Sequence, residues 1–118
     1  MNAAGPGSER IHYEVREDVA YLTLDAPPVN ILSAAMMREL AVAVERAQLD
    51  RSLKAVAFTA AGRAFSAGAD VGEHRPGQAD GMTAAFSRLF GALGGSELPL
   101  VMAVDGPALG AGFELVMM

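Results

Sequence analysis

The chain has 118 residues, no cysteine, a net charge of −5 at pH 7 and a hydrophobic fraction of 52%. This length allows one domain at most, and the absence of cysteine excludes disulfides, thiolate metal sites and a cysteine nucleophile. The nine Lys and Arg residues are scattered, which argues against nucleic-acid binding, and no apolar run approaches the roughly 18 residues of a membrane-spanning helix.

The N-terminal segment contains the first strands. Met1 to Arg10 is small and polar, which predicts a disordered tail without the apolar core of a secretory signal. A cytoplasmic location is the corresponding expectation. Ile11 to Arg16 and Val19 to Leu24 predict two short strands of a hairpin, joined at Glu17-Asp18.

A helix and a third strand follow the hairpin. Prolines end the second strand, and Ser33 is placed to cap a helix whose apolar residues recur at helical spacing up to about Leu49. Ala55 to Thr59 is a short apolar run that predicts a buried strand. It leads into a loop of small residues, Ala60 to Asp70.

The second half contains a polar segment, a helix, a strand and a final helix. Gly72 to Gly81 is polar and predicts a mobile segment, after which an amphipathic helix ends near Gly94-Gly95. Leu100 to Val104 predicts another buried strand, followed by a glycine-bearing turn and the apolar helix Phe113 to Met118. Strands separated by helices predict an α/β fold with ligands at the carboxyl ends of the strands. Because the last helix has no C-terminal cap, we expect a fold that is incomplete at its C-terminus.

Two glycine-bearing turns are candidate anion sites. In Gly62 to Asp70, small side chains let a ligand approach the backbone amides, which can donate to an oxygen anion. The alternative is a tight strand-to-helix connection with Asp70 as an N-cap. Asp105 to Glu114 also follows a strand and opens a helix. It matches no dinucleotide or phosphate-loop pattern, because Leu115 replaces the third glycine and no Gly-Lys-Ser/Thr follows.

Glu114 is the candidate catalytic residue. It lies between Phe113 and Leu115 in an apolar helix, where burial of an unpaired carboxylate is costly. We therefore expect Glu114 to be either partnered or functional. A carboxylate beside an anion site is what proton transfer next to a thioester carbonyl requires.

Together these segments resemble a known family. AFSAGADV at Ala64 to Val71 and VDGPALGAGFELVMM at Val104 to Met118 resemble the two oxyanion-hole segments of the crotonase (enoyl-CoA hydratase/isomerase) superfamily. Val19 to Leu40 is similar to its first strand pair and helix. The resemblance implies a crotonase-like spiral of ββα units, with residues 11–118 as its N-terminal portion. DVGEH at Asp70 to His74 and MTAAFSRLF at Met82 to Phe90 are similar to the subgroup that hydrates cyclohexa-1,5-diene-1-carbonyl-CoA.

The resemblance also implies a substrate and a site. The substrate would be a coenzyme A thioester whose carbonyl is held by the amides of Ala69 and Ala111, with no metal and no covalently bound cofactor. Glu114 matches the first of two catalytic glutamates, which handle water and the α-proton. Coenzyme A and substrate would contact Pro28, Val29, Ala67, Gly68, Ala69, Asp70 and Val71.

Two departures from the family limit what the chain can do alone. Gly110-Ala111-Gly112 stands where the family has three glycines, which adds a methyl group near the thioester. The family's second glutamate and its later spiral turns have no counterpart here, so hydratase activity requires completion of the fold. We expect a homo-oligomer, a trimer or hexamer, or a partner that supplies the other half.

Two other interpretations are open. One is a truncated paralogue without catalysis, which acts in binding or assembly. The other is a serine hydrolase, because Ala64-Phe65-Ser66-Ala67-Gly68 approaches the nucleophile-elbow pattern. His12 and His74 are the histidines that could serve as its base.

Overall fold

The computed structural model describes residues 10–70, 77 and 79–118. Of the predicted tail it includes Arg10, whose guanidinium lies 2.7 Å from the carboxylate of Glu39. Val71 and His74 lie outside the described residues, as does most of the predicted mobile segment. The elements are β1 (Ile11–Arg16), β2 (Val19–Leu24), β3 (Ile31–Leu32), α1 (Ala34–Leu49), β4 (Ala55–Ala60), β5 (Gly68–Ala69), α2 (Ala79–Gly94), β6 (Leu100–Met102) and α3 (Ala111–Val116).

The predicted N-terminal hairpin is confirmed. β1 and β2 pair antiparallel, with Arg16 opposite Val19. The two connecting residues, Glu17 and Asp18, have φ angles of 50° and 66°. A two-residue turn with both residues in this left-handed region matches the twist of the flanking strands.

The rest of the chain is built from repeated units of strand, short strand and helix. β2, β4 and β6 are parallel in one sheet, whose order is β1-β2-β4-β6. After β2 and β4, short strands β3 and β5 pair in a second parallel layer, and after β6 a parallel bridge joins Ala108 to Ser66. A helix completes each unit. This confirms the spiral of ββα units that the resemblance implied.

The core lies between the large sheet and the helices. Ser33 caps α1 as predicted, since its Oγ accepts a hydrogen bond from the amide of Met36 at 3.0 Å. The inward stripe of α1, which includes Leu40 and Val44, is fully buried. α1 also packs against α2, where an Arg88 nitrogen lies 2.6 Å from a carboxylate oxygen of Glu45.

The prediction of a buried strand at Leu100 to Val104 was wrong. β6 is shorter, and the side chain of Val101 at its centre is 52% exposed. Among the described residues β6 is the outer strand of its sheet, paired only with β4. An apolar run indicates a strand but carries no information on what covers it. Ala79 to Gly81, placed in the polar segment, are helical, with Asp80 favourably located in the first turn of α2.

Candidate functional site

The two glycine-bearing turns lie against each other. The amide of Phe65 donates to the carbonyl of Pro107 at 2.9 Å, and the amide of Leu109 donates to the carbonyl of Ser66 at 3.0 Å. Ser66 also forms the parallel bridge to Ala108. The two turns therefore share a backbone interface, which is the first requirement for a common site.

Glycines make this close contact possible. Gly68 has a φ of +104°, and a Cβ atom there would lie 3.0 Å from the carbonyl oxygen of Leu109 and 3.8 Å from the amide nitrogen of Ala111. A Cβ atom on Gly112 would lie only 2.6 Å from the carbonyl oxygen of Ser66. Larger residues at these positions would push the turns apart.

Ser66 is a structural residue rather than a nucleophile. It is fully buried, and its Oγ donates to the carbonyl of Asn30 at 2.7 Å and accepts from the amide of Gly68 at 3.2 Å. His12, the described candidate base, instead places Nε2 2.7 Å from a carboxylate oxygen of Asp25. The structure therefore does not support the serine hydrolase interpretation, because the hydroxyl of Ser66 is committed to backbone groups inside the fold.

Asn30 positions the same turn, and the sequence pattern did not single it out. Its side chain is fully buried, accepts a hydrogen bond from the amide of Ala26 at 2.8 Å and donates to the carbonyls of Ala61 and Ala64. Its φ is 53°, a conformation that asparagine tolerates better than most residues. The sequence offered one signal of this role, an asparagine next to a proline-rich turn.

The residues implied for coenzyme A binding run side by side. The amide of Ala67 donates to the carbonyl of Val29 at 2.9 Å, and the amide of Asp70 donates to the carbonyl of Leu32 at 3.3 Å. Pro28 immediately precedes Val29 and is exposed. Apart from Val71, the structure thus brings these segments together at the edge formed by β3 and β5.

A cavity of about 310 Å³ lies beside the paired turns. Ala69, Ala111 and Glu114, all predicted from the sequence, line this cavity. The other lining residues are Met82, Thr83 and Phe86 of α2. These three were not among the predicted site residues, because an apolar helical stripe does not show which of its residues border a cavity. Met82 is buried and Phe86 half-buried, so the stripe serves both the core and the cavity.

The amides of Ala69 and Ala111 have no acceptor within the strand pair or the helix to which they belong. Ala69 pairs with Leu32, whose carbonyl accepts from Asp70, and successive amides of a strand point to opposite sides. The N–H of Ala69 therefore points away from β3. Ala111 is the first residue of α3, where an amide has no acceptor within the helix, and Gly110 provides no side-chain cap.

Glu114 is not buried, so the cost of burying a carboxylate, for which the sequence singled it out, does not apply. The inward positions of α3 are Ala111, Gly112 and Leu115, while Glu114 is exposed and borders the cavity. Within residues 10–70, 77 and 79–118, no ion pair involves Glu114. Its location at the cavity, rather than a cost of burial, is what makes it a candidate.

Metal ligation and membrane insertion find no support in the described part of the chain. No group of three or more His, Asp or Glu residues there could hold a metal ion. None of the helices described combines the length and apolarity that crossing a membrane requires.

Sequence comparison identifies the family. The model of the enoyl-CoA hydratase/isomerase family matches residues 14–118. A probable enoyl-CoA hydratase from Rhodobacter capsulatus is 39% identical over 114 residues, covering 91% of this chain and 42% of that protein. A peroxisomal bifunctional enzyme from Danio rerio is 38% identical over 103 residues, covering 87% of this chain and 14% of that protein.

Solved structures agree with this assignment. An enoyl-CoA hydratase/carnithine racemase from Magnetospirillum magneticum superposes with a TM-score of 0.85 and 30% identity, covering 93% of this chain and 44% of that one. An enoyl-CoA hydratase from Mycobacterium avium subsp. paratuberculosis gives a TM-score of 0.83 and 29% identity, with the same coverage. The chain belongs to the enoyl-CoA hydratase/isomerase family and spans less than half the length of these relatives. The finer resemblance to the cyclohexadiene-carbonyl-CoA subgroup stays a prediction.

Proposed function

We propose that this chain binds a coenzyme A thioester and stabilises the enolate of its acyl group, as in an enoyl-CoA hydratase or isomerase. The amides of Ala69 and Ala111 would hold the thioester oxygen, and Glu114 would move a proton at the α-carbon. One observation carries the proposal: these three residues, from two separate turns, line a single cavity.

The proposed oxyanion hole uses main-chain donors whose positions are fixed by the fold. Removal of an α-proton moves an electron pair onto the thioester oxygen, and donors already in place there stabilise the developing charge. The hydrogen bonds between the turns, including that from Leu109 to Ser66, would hold the two donors at a constant separation. Loss of one such donor typically costs a hundred- to a thousand-fold in rate, in rough terms.

Glu114 is proposed as the base. Its carboxylate would take the α-proton and become a carboxylic acid, while the electron pair of the broken C–H bond forms the enolate. Its place in the cavity and the absence of an ion pair among the described residues support this role. Met82 and Phe86 give the same cavity an apolar lining, which suits the acyl part of the ligand.

The rest of the ligand would extend along the neighbouring backbone. Coenzyme A is proposed to contact Pro28 and Val29 together with Ala67 to Val71. The described part of this set is a continuous edge next to Ala69, which supports a path from the thioester to the nucleotide.

Full hydration would need a second acid–base group, which we propose comes from another polypeptide segment or subunit. The relatives that match this chain are more than twice its matched length. Leu109, Phe113 and Met117 are each more than half exposed on the turn and helix beside the cavity. Such an apolar surface supports contact with a further segment, partner or copy.

Exchange of the α-protons of butyryl-CoA with deuterium tests the proposal, because it needs one base and an oxyanion hole but no second carboxylate. We expect the wild-type chain to catalyse exchange, measured by mass spectrometry in deuterated buffer. Glu114→Gln should lower the rate by about a hundred- to ten-thousand-fold, since the amide cannot accept the proton.

Glu97→Gln is the matched control. It makes the same chemical change at an exposed position that does not line the cavity, and it should exchange at the wild-type rate. Equal rates for Glu114→Gln and Glu97→Gln would exclude Glu114 as the base. Wild-type binding of butyryl-CoA without any exchange would argue for a binding protein instead.

A further inference from the structure

We infer that the outer edge of β1 pairs with the same edge of a second copy of this chain. The two β1 strands run antiparallel in this pair and join the large sheets of the two copies into one continuous sheet. The contact is on β1, whereas the cavity is lined by residues of β5, α2 and α3, so the inference is independent of the proposed function.

The first observation is the direction of the backbone groups of β1. The amide of Asp25 donates to the carbonyl of Arg10 at 2.8 Å, and the register with β2 continues from this pair without a bulge. Hydrogen-bonded pairs alternate along antiparallel strands, so every second residue of β1 directs its N–H and C=O groups away from β2. The residues with outward-pointing groups are Ile11, Tyr13 and Val15.

The second observation is that this edge is accessible to another strand. Among the described residues, β1 has β2 as its one strand neighbour. A groove beside β1 is lined by four consecutive residues, His12 to Val15, together with Arg46 of α1. Successive side chains of a strand point to opposite faces, so this groove runs along the edge itself. A strand of six residues without a proline or a bulge is a template for a further strand.

Continuation of the spiral adds strands at the other edge of the sheet. β2, β4 and β6 follow one another on the side away from β1. A further unit built in the same way would therefore pair with β6. The edge of β1 thus differs from the exposed apolar surface beside the cavity, which a further segment would cover.

Charge complementarity identifies a second copy as the occupant of this edge. A two-fold axis at Tyr13 pairs all the outward groups of one β1 strand with those of the other. This register places His12 of one copy opposite Glu14 of the other, and the two-fold axis repeats the pair. The nearest alternative registers, shifted by two residues, place His12 opposite His12 or Glu14 opposite Glu14.

The flanking side chains are compatible with this register. It brings Arg10 near Arg16 of the other copy. Each arginine has a carboxylate of its own chain nearby, at 2.7 Å from Arg10 to Glu39 and at 3.5 Å from Arg16 to Glu14, which limits their repulsion. Val15, which is 45% exposed, would be covered by the second copy.

The test is amide hydrogen exchange of the full chain, measured residue by residue by NMR at two protein concentrations about a hundredfold apart. Sedimentation equilibrium at the same concentrations determines the mass. We expect a dimer at the higher concentration, where the amides of Ile11, Tyr13 and Val15 should exchange about tenfold or more slowly. The amides of His12 and Glu14, which bond to β2, should be protected at both concentrations.

Val15→Pro removes an outward N–H group without removing a hydrogen bond to β2, a position that proline tolerates on an edge strand. It should weaken dimerisation about tenfold or more. Val15→Thr is the matched control, because it keeps the amide and the β-branched shape, and it should dimerise within about twofold of wild type.

A pair of charge variants tests the register. His12→Lys should strengthen dimerisation by about twofold to tenfold, because a lysine then faces Glu14 of the other copy. In a Glu14→Lys background the same change should weaken dimerisation, since two lysines then face each other.

Three results would overturn the inference. The first is a chain that stays monomeric at both concentrations, whatever else binds to the edge. The second is a dimer whose added protection lies on β6 or α3 instead of β1. The third is dimerisation of Val15→Pro as tight as that of Val15→Thr.

Discussion

Gly112→Ala should destabilise the protein strongly although it exchanges one small residue for another within a helix. A Cβ atom at this position would lie 2.6 Å from the carbonyl oxygen, 2.7 Å from the Cβ and 2.9 Å from the Oγ of Ser66. The nearest atom belongs to a backbone that is bridged to Ala108 and cannot swing aside. The turns must therefore separate.

The cost follows from two contributions. Overpacking in a rigid interior costs about 1–3 kcal/mol. Displacing Ser66 also weakens its buried hydrogen bonds to Asn30 and Gly68, which adds about 1–3 kcal/mol. The higher helix propensity of alanine returns up to about 1 kcal/mol. Together these contributions give an expected net loss of about 1–6 kcal/mol in the free energy of unfolding.

Urea unfolding followed by circular dichroism measures this loss. Gly91→Ala is the control, because Gly91 also lies in a helix but a Cβ atom there would have no neighbour within 4 Å. It should stabilise the protein by about 0.5–1 kcal/mol. If the two alanine variants had the same unfolding midpoint, the close contact between the turns, and the site built on it, would be refuted.

Three further predictions concern other residues. Asn30→Ala should lower the free energy of unfolding by about 2–4 kcal/mol, because it leaves buried backbone groups without hydrogen-bond partners. Urea titration measures this loss, and a loss below about 1 kcal/mol would contradict the positioning role of Asn30. Ser66 should not react with a fluorophosphonate probe, and labelling of the native protein would overturn its structural assignment. The hydrogen bond from the Arg88 guanidinium lowers the pKa of Glu45 below its usual 4.5. The pair therefore stabilises the protein above about pH 4.5, and this stabilisation is lost as the pH falls through the lowered pKa. Arg88→Met should therefore cost about 0.2–1 kcal/mol at neutral pH and progressively less as the pH falls through the lowered pKa of Glu45. A cost that stayed constant down to strongly acidic pH would contradict the ionic contribution.

The sequence predicted most of the fold because its local signals agree. Glu17 and Asp18 adopt the positive φ angles of the hairpin turn, and Ser33 caps α1 at the position that the sequence predicted. The apolar run around Val101 was misjudged because strand formation is local while coverage depends on neighbouring elements.

The site was predicted in part, for a similar reason. Small residues around Gly68 and Ala111 indicated close backbone approach, and the structure brings these turns together. Glu114 was noticed on the assumption of burial, yet it is exposed at the cavity. Phe86 was missed because a helical stripe does not distinguish a core contact from a cavity wall.

Amide nitrogen–proton NMR spectra of the labelled chain test the central claim most directly. Titration with butyryl-CoA should move the amide proton resonances of both Ala69 and Ala111 downfield, as expected for new hydrogen bonds to the thioester oxygen. Free coenzyme A, which has no acyl carbonyl, should leave both resonances nearly unchanged. Saturating butyryl-CoA that shifts neither resonance, or only one of them, would contradict a shared oxyanion hole.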